Sequence, residues 1–208
     1  MNKLKKGFFI SFEGPEASGK STQIKLISKF LKKNNIKHVV TREPGGTKIS
    51  EKIRNIILDN KNISPTEEIL LLMSSRLNHI NNVILPALLK NKIVISDRFA
   101  DSTFVYQGHV NKYGIKKTMD LHKKILNNFL PNKTFLFILP SKTINKRLRK
   151  RKKANKYDKI DKNFHTEVIK GYKKISKNDK RFITLNALES KEDINLKIIE
   201  KLKKLINL

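Results

Sequence analysis

Cysteine and tryptophan are both missing from the 208 residues. The first absence excludes disulfides, thiol nucleophiles, zinc fingers and iron–sulfur ligation. Proline and glycine are few, at 6 and 8, so neither a linker-rich nor a collagen-like chain is in view. No apolar run approaches the roughly 18–20 residues of a membrane span. The run after the basic N-terminus, Phe8 to Phe12, stops at Glu13 and is too short for a secretory leader. The expected location is therefore the cytoplasm, with no membrane partner. Acidic residues are scarce: 18 against 46 Lys and Arg, a formal net charge of +28. Such a charge invites a nucleic-acid reading. Aromatic residues, however, make up only 7% of the chain, so base-stacking platforms are sparse. The cations are 38 Lys and 8 Arg, and the lysines are spread over every segment. They read as a solvated surface with unspecific polyanion attraction, and no specific nucleic-acid partner is expected. What the chain does have is a 38% hydrophobic share, enough for one core-forming domain over residues 1–208.

Short β-type runs alternate with helical periodicity. The strands are expected at Gly7–Glu13, Lys37–Thr41, Lys92–Ser96, Phe135–Leu139 and Arg181–Leu185. Between the first two, Ile24, Ile27, Phe30 and Leu31 recur at helical spacing, and Asn34 and Asn35 end that helix. Helices are expected over 49–58 and 66–90, the second started by Ser64-Pro65-Thr66, and over 191–206 at the end. Strand–helix alternation of this kind predicts a parallel sheet covered by helices on both faces. The segment 146–162 stands out as rich in Lys and Arg with few apolar residues, and reads as a helix end or flap.

Gly14-Pro15-Glu16-Ala17-Ser18-Gly19-Lys20-Ser21 fits G-x-x-x-x-G-K-[ST], with a strand before it and a helix after it. In this arrangement successive backbone N–H groups form an anion nest, and the helix N-terminus faces the phosphates. Lys20 would bridge the β- and γ-phosphates of a nucleoside triphosphate, and the Ser21 hydroxyl would hold Mg²⁺. The fold expected is thus an α/β P-loop NTPase three-layer fold, a five-stranded parallel sheet flanked by helices with a short lid.

The third strand ends in Ile95-Ser96-Asp97-Arg98. This places a carboxylate and a guanidinium at the carboxyl edge of the sheet, where ligands bind in such folds. Asp97 can serve Mg²⁺ or orient an attacking oxygen, and Arg98 can clamp a second phosphate. Two anions brought side by side is the task of a small-molecule phosphate kinase, and cationic clamps offset their repulsion. No Asn-Lys-x-Asp base-reading motif of a GTPase follows. Two rivals stand beside this reading. One is a nucleoside monophosphate kinase of a different base preference, and the other is a basic NTPase stimulated by nucleic acid.

Several separated blocks resemble the bacterial-type thymidylate kinases. They are Phe12-Glu13-Gly14 running into the loop with Glu16, Thr41-Arg42-Glu43-Pro44-Gly45-Gly46-Thr47, Arg76, Asp97-Arg98-Phe99 with Ser102-Thr103 and Tyr106-Gln107-Gly108, and Phe164-His165 to Gly171-Tyr172. The resemblance spans the chain. It implies transfer of a phosphoryl group from ATP to dTMP with Mg²⁺, and a homodimer packed through helices, for which Ile69, Leu70, Leu72 and Met73 are the candidates. It implies that Arg98 holds the dTMP phosphate, with Asp97 beside the metal and the transferred group. Glu16 would accept from the sugar 3′-hydroxyl, and Arg76 would donate to a thymine carbonyl. Ser102 and Thr103 would lie beside the base, and Tyr106 under the deoxyribose. Pro44 would form a cis turn shaping the monophosphate pocket, with Arg42 anchoring that turn. The duller alternatives are a core aromatic for Tyr106 and a helix cap for Ser102.

Two departures from the family pattern accompany the match. Leu72 stands where a phenylalanine usually covers thymine, followed by Met73 as a possible substitute. In the lid, expected at about 147–161, Asn155-Lys156-Tyr157-Asp158 stands where the family often has Asp-Arg-x-Glu. Lys156 keeps the charge but not the bidentate fork. The transition-state arginine then falls to Arg147, Arg149 or Arg151.

Overall fold

The computed structural model describes residues 6–60, 62–149 and 162–206. Among these, five parallel strands form one sheet: β1 (Phe8–Glu13), β2 (His38–Arg42), β3 (Ile93–Asp97), β4 (Lys133–Ile138) and β5 (Phe182–Asn186), in the order β2-β3-β1-β4-β5. The α-helices that connect and follow them are α1 (Lys20–Lys33), α2 (Lys48–Asp59), α3 (Pro65–His79), α4 (Leu85–Leu89), α5 (Ala100–Thr103), α6 (Ile115–Leu126), α7 (Ser141–Arg149), α8 (Lys162–Ser176) and α9 (Lys191–Ile206). All five expected strands are present, with ends displaced by a residue or two.

The central strand shows how alternation builds two layers. Ile10 and Phe12 of β1 enter one core with Ile24, Ile27 and Leu31 of α1 and Ile194, Ile198 and Leu202 of α9. Phe9 points the other way, into a second core with Ile69 and Met73 of α3, Val94 and Phe99. A period of two on a sheet covered on both faces produces this division.

The helix expected as one piece over 66–90 is interrupted. Ser64 caps α3 in a capping box: its hydroxyl accepts from Glu67 N at 3.3 Å, and its own N–H donates to the Glu67 carboxylate at 2.8 Å. The rod then widens into a π-helical stretch, Ile80–Ile84, before α4. Pro86 supplies the reason. It has no N–H to donate, and its ring collides with a carbonyl one turn back in a regular helix.

Register in β1 and β3 sets the working edge. Phe12 lies opposite Asp97, so the loop after β1 and the turn after β3 emerge side by side.

Candidate active site

The chain from Gly14 to Ser21 wraps beneath the N-terminus of α1. Gly14 (φ +136°) passes so close to β4 that a Cβ there would meet the Phe137 carbonyl at 2.4 Å, so only glycine fits. Lys20 is folded back over the loop, donating to the carbonyls of Gly14 (3.0 Å) and Pro15 (2.7 Å) and to Ser18 Oγ (3.2 Å). Burial, with the Arg98 charge nearby, lowers its pKa to about 8. The Ser21 hydroxyl donates to Asp97 Oδ2 at 2.8 Å. The two expected metal ligands are therefore adjacent.

Arg98 follows with φ +70°, a left-handed backbone that is costly for a side chain of this size. The turn is pinned by Arg98 N donating to Phe12 O (3.0 Å) and Ser96 Oγ donating to Arg98 O (2.6 Å). Its guanidinium donates to Glu16 (2.8 Å), Ser102 Oγ (3.0 Å) and Tyr172 Oη (3.2 Å), and lies 5.1 Å from the centre of the Tyr106 ring. Tyr106 donates its hydroxyl to Glu16 at 2.8 Å. Burial acts to raise the Glu16 pKa, but the charges of Arg98 and Lys20 and the Tyr106 bond outweigh it and hold it below the ordinary value.

Behind Arg98 lies Glu13, fully buried at the end of β1. It accepts from Phe99 N (2.7 Å), Ser102 Oγ (2.6 Å) and Tyr172 Oη (2.8 Å). Burial, followed by the charge of Asp101, pushes its pKa up to about 7, against the pull of Arg98. Between about pH 4.5 and 7 the folded protein therefore binds more proton at this site than the unfolded chain, and stability falls as pH rises through that window. At about 1.4 kcal/mol per pH unit, the contribution is at most ~3.5 kcal/mol. We expect Glu13→Gln, which keeps the shape, to flatten the decline of the melting temperature between pH 5 and 7. Parallel melting profiles for variant and wild type would refute the assignment.

The far wall carries Arg76, also buried. Its Nε donates to Glu43 Oε2 (2.7 Å) and its Nη2 to Thr103 Oγ1 (2.7 Å), and it lies 5.2 Å from the Phe99 ring centre. Glu43 leads into the Pro44 turn, whose peptide bond is cis as expected. Arg42 pairs with Glu51 at 2.8 Å, and the other Glu51 oxygen accepts from Gly46 N at 2.9 Å, so Arg42 anchors the turn through Glu51.

A cleft of about 440 Å³ joins these parts. Lys20 and Ser21 line it from the phosphate loop. Asp97 and Arg98 line it from the sheet edge, and Leu72, Arg76, Ser102, Thr103 and Tyr106 from the helices. Arg42 and Pro44 complete one rim. Leu72 faces this space, whereas Met73 is buried in the second core, where its sulfur contacts Arg76 Nη1 at 3.9 Å. Ser102 is not the cap of α5, a position held by Phe99.

Sequence reasoning assigned no role to Glu13, Tyr172, Glu43, His79 or Arg54. Arg54 lines the cleft and donates to Pro44 O at 3.0 Å. Its one sequence signal is being arginine in a chain that otherwise uses lysine. Of the lid, Arg147 lies against the phosphate loop, donating to Ala17 O and Ala187 O, both at 3.1 Å. The Arg149 side chain is exposed. Arg151, Lys156 and Asp158 lie outside the described residues.

The likeness to known proteins agrees with this geometry. The thymidylate kinase family model matches residues 12–198. A thymidylate kinase of Finegoldia magna is 41% identical over 198 residues, covering 94% of this chain and 98% of that protein. One of Rickettsia bellii is 38% identical, with both chains covered in full. The crystal structure of thymidylate kinase from Ehrlichia chaffeensis superposes with a TM-score of 0.76 at 29% identity, covering 95% of this chain and 99% of that one. With the matched model spanning most of the chain and the phosphate loop, Asp97-Arg98 and the Pro44 turn meeting in one cleft, the chain belongs to the thymidylate kinase family.

Proposed function

We propose that this protein transfers the γ-phosphoryl group of ATP to dTMP, giving dTDP and ADP. The observation that carries the reading is the single cleft lined both by the phosphate loop and by Arg98, Arg76 and Leu72. One end suits a polyphosphate and the other a phosphate followed by a flat base. Phosphoryl transfer asks mainly for positioning and charge neutralisation, and the residues present are of that kind. Lys20 leaves the loop carbonyls to meet the β- and γ-phosphates of ATP. Arg98 holds the dTMP phosphate, and Ser102, donating to Glu13, orients Arg98. Glu16 takes the sugar 3′-hydroxyl, and the Tyr106 ring limits the space beneath the sugar. Arg76 turns Nη1 to a thymine carbonyl, with Thr103 beside the base. Among the described residues, Arg147 is the lid arginine bonded to the loop.

Ser21 Oγ and Asp97 Oδ2 are hard oxygen donors of the type Mg²⁺ takes. Among the described residues no group of three or more His, Asp or Glu gathers elsewhere as a metal site. Phosphate oxygens and water would complete the coordination shell. Bound there, the ion would neutralise charge on the phosphates.

For the homodimer, Ile69 and Met73 are buried in the protomer's own core, and Leu72 lines its cleft. The faces open to a second copy are Leu70 and Leu77 of α3, and Ile49 and Ile56 of α2. Each pair is seven residues apart on one helix face. No described helix is long and apolar enough to cross a membrane.

The test is a panel of nucleoside monophosphates with Mg·ATP, scored by ADP release and by phosphate appearing on the acceptor. dTMP should be the preferred acceptor. ATP hydrolysis stimulated by DNA or RNA with no acceptor phosphorylated would refute the proposal.

Leu72 leads to a prediction about affinity. An aliphatic side chain covers a base by dispersion alone, whereas an aromatic pair adds about 0.5–1.5 kcal/mol. Leu72→Phe should therefore tighten dTMP binding roughly 2- to 13-fold by calorimetry. dUMP should gain equally, since its flat face is the same. Weaker binding in a variant of unchanged melting temperature would mean that the wall has packed around leucine and rejects the ring.

A further inference from the structure

Arg76 does not stand alone on the cleft wall. Its Nε bonds to Glu43, and the other Glu43 oxygen faces Nδ1 of His79 at 3.1 Å. The opposite ring nitrogen, Nε2, lies 2.6 Å from Thr41 Oγ1. His79 is fully buried, one helical turn beyond Arg76 on α3, and sits behind the cleft rather than in its lining. Glu43 is held ionised: burial opposes this, but the Arg76 charge and the His79 bond prevail. An ionised carboxylate only accepts, so Nδ1 carries the proton and donates to Glu43. In the neutral ring Nε2 is then left to accept the Thr41 hydroxyl. The turn after Pro44 closes over the ring. A Cβ at Gly46 would lie 2.5 Å from Nε2 and 2.6 Å from Thr41 Oγ1. The imidazole is thus fixed from three sides: the end of β2, the carboxylate before the cis turn, and the turn itself.

We infer that His79 is a positioning residue for base recognition, locking the Glu43 carboxylate so that Arg76 presents one guanidinium edge to the base of the acceptor nucleotide. The inference rests on the reading of Arg76 as the base contact. Without the Nδ1 donor, the Glu43 carboxylate keeps its bond to Arg76 but loses the one that anchors the pair to His79, so the Arg76 guanidinium is less firmly aimed. The acceptor side suffers while the ATP side, built on the phosphate loop, does not.

The test separates this from a merely structural role. Asparagine places its side-chain NH₂ where ring Nδ1 stood, and glutamine reaches instead toward Thr41. His79→Asn should keep the KM for dTMP near wild type, and His79→Gln should raise it about tenfold, the effect of losing one hydrogen bond to a charged group. KM for ATP should stay unchanged in both. His79→Ala should behave as His79→Gln; if it does not fold, the Asn/Gln pair carries the test. In an Arg76→Lys background, itself raised in dTMP KM, His79→Gln should add less than about twofold, because the two act on one contact. Equal KM values for dTMP in His79→Asn and His79→Gln would overturn the role of His79 even with Arg76→Lys impaired. An Arg76→Lys variant with unchanged KM for dTMP would instead remove the base contact on which the inference stands.

Discussion

Lys20→Ala should lower turnover by on the order of 10²–10³ while leaving the fold intact, the scale of losing one preorganised charge at the transferring group. The argument begins with what Lys20 does without nucleotide. Its ammonium is buried and donates to two loop carbonyls and a serine. Its pKa, lowered to about 8 by burial and by Arg98, shows that the folded protein holds this charge at a cost. A lysine whose folded pKa lies below the unfolded value binds fewer protons when folded. Stability of the nucleotide-free protein therefore rises with pH between about 8 and 10.5. Removing the charge relieves that cost, so the variant should melt at or above the wild-type temperature near neutral pH. Bound phosphates reverse the balance by adding negative charge beside the ammonium, beyond that of Asp97 and Glu16. ATP should accordingly stabilise wild type against heat much more than the variant. Turnover within about tenfold of wild type would remove Lys20 from the chemistry.

Much of this arrangement is legible in the chain before folding, and what is not legible has common causes. The phosphate loop is local: eight consecutive residues carry it, and neither the preceding strand nor the following helix needs a distant partner to be recognised. The same holds for α9, whose bounds of 191–206 match the apolar period. The apolar period predicts one long middle helix where the structure has an interrupted one, because period reports which side chains are apolar and not which carbonyls lose a donor at Pro86. Glu43 and Arg76 are 33 positions apart and meet only once α3 packs beside the edge of the sheet. No spacing rule announces such a pair. The arginines show both the use and the limit of composition. In a chain that spends its positive charge almost wholly on lysine, an arginine marks a place needing a planar fork. That signal would have found Arg54 in the cleft wall. It would equally have flagged Arg181, which instead pairs with Asp101 and Asp179 away from the cleft. Arg98 was expected from its neighbours Asp97 and Phe99, but its left-handed backbone was not. The long-range bond to Phe12 O and the local one from Ser96 Oγ help to hold a large residue there.

That backbone makes Arg98 the second position of large effect. Arg98→Ala should raise the KM for dTMP far more than that for ATP. The guanidinium is aimed by Glu16, Ser102 and Tyr172 rather than by Lys20, and the proposed reading gives it the acceptor phosphate. Removing a buried, hydrogen-bonded charge partner costs about 2–5 kcal/mol, or roughly 30- to 5,000-fold in affinity. Two effects compound. The incoming phosphate loses its clamp, and Glu16 loses the cation that, with Lys20, holds its pKa down. Glu16 should then take up a proton more readily, and the loss in the alanine variant should deepen as pH falls. Arg98→Lys separates charge from geometry. It restores a cation for Glu16 but cannot reach Ser102, Tyr172 and a phosphate with one planar fork, so it should recover the pH dependence but only part of the KM. Separate titrations of dTMP and ATP at two pH values, on both variants, decide the matter. A loss confined to ATP would place Arg98 on the donor nucleotide, and the assignment of the two ends of the cleft would have to be exchanged.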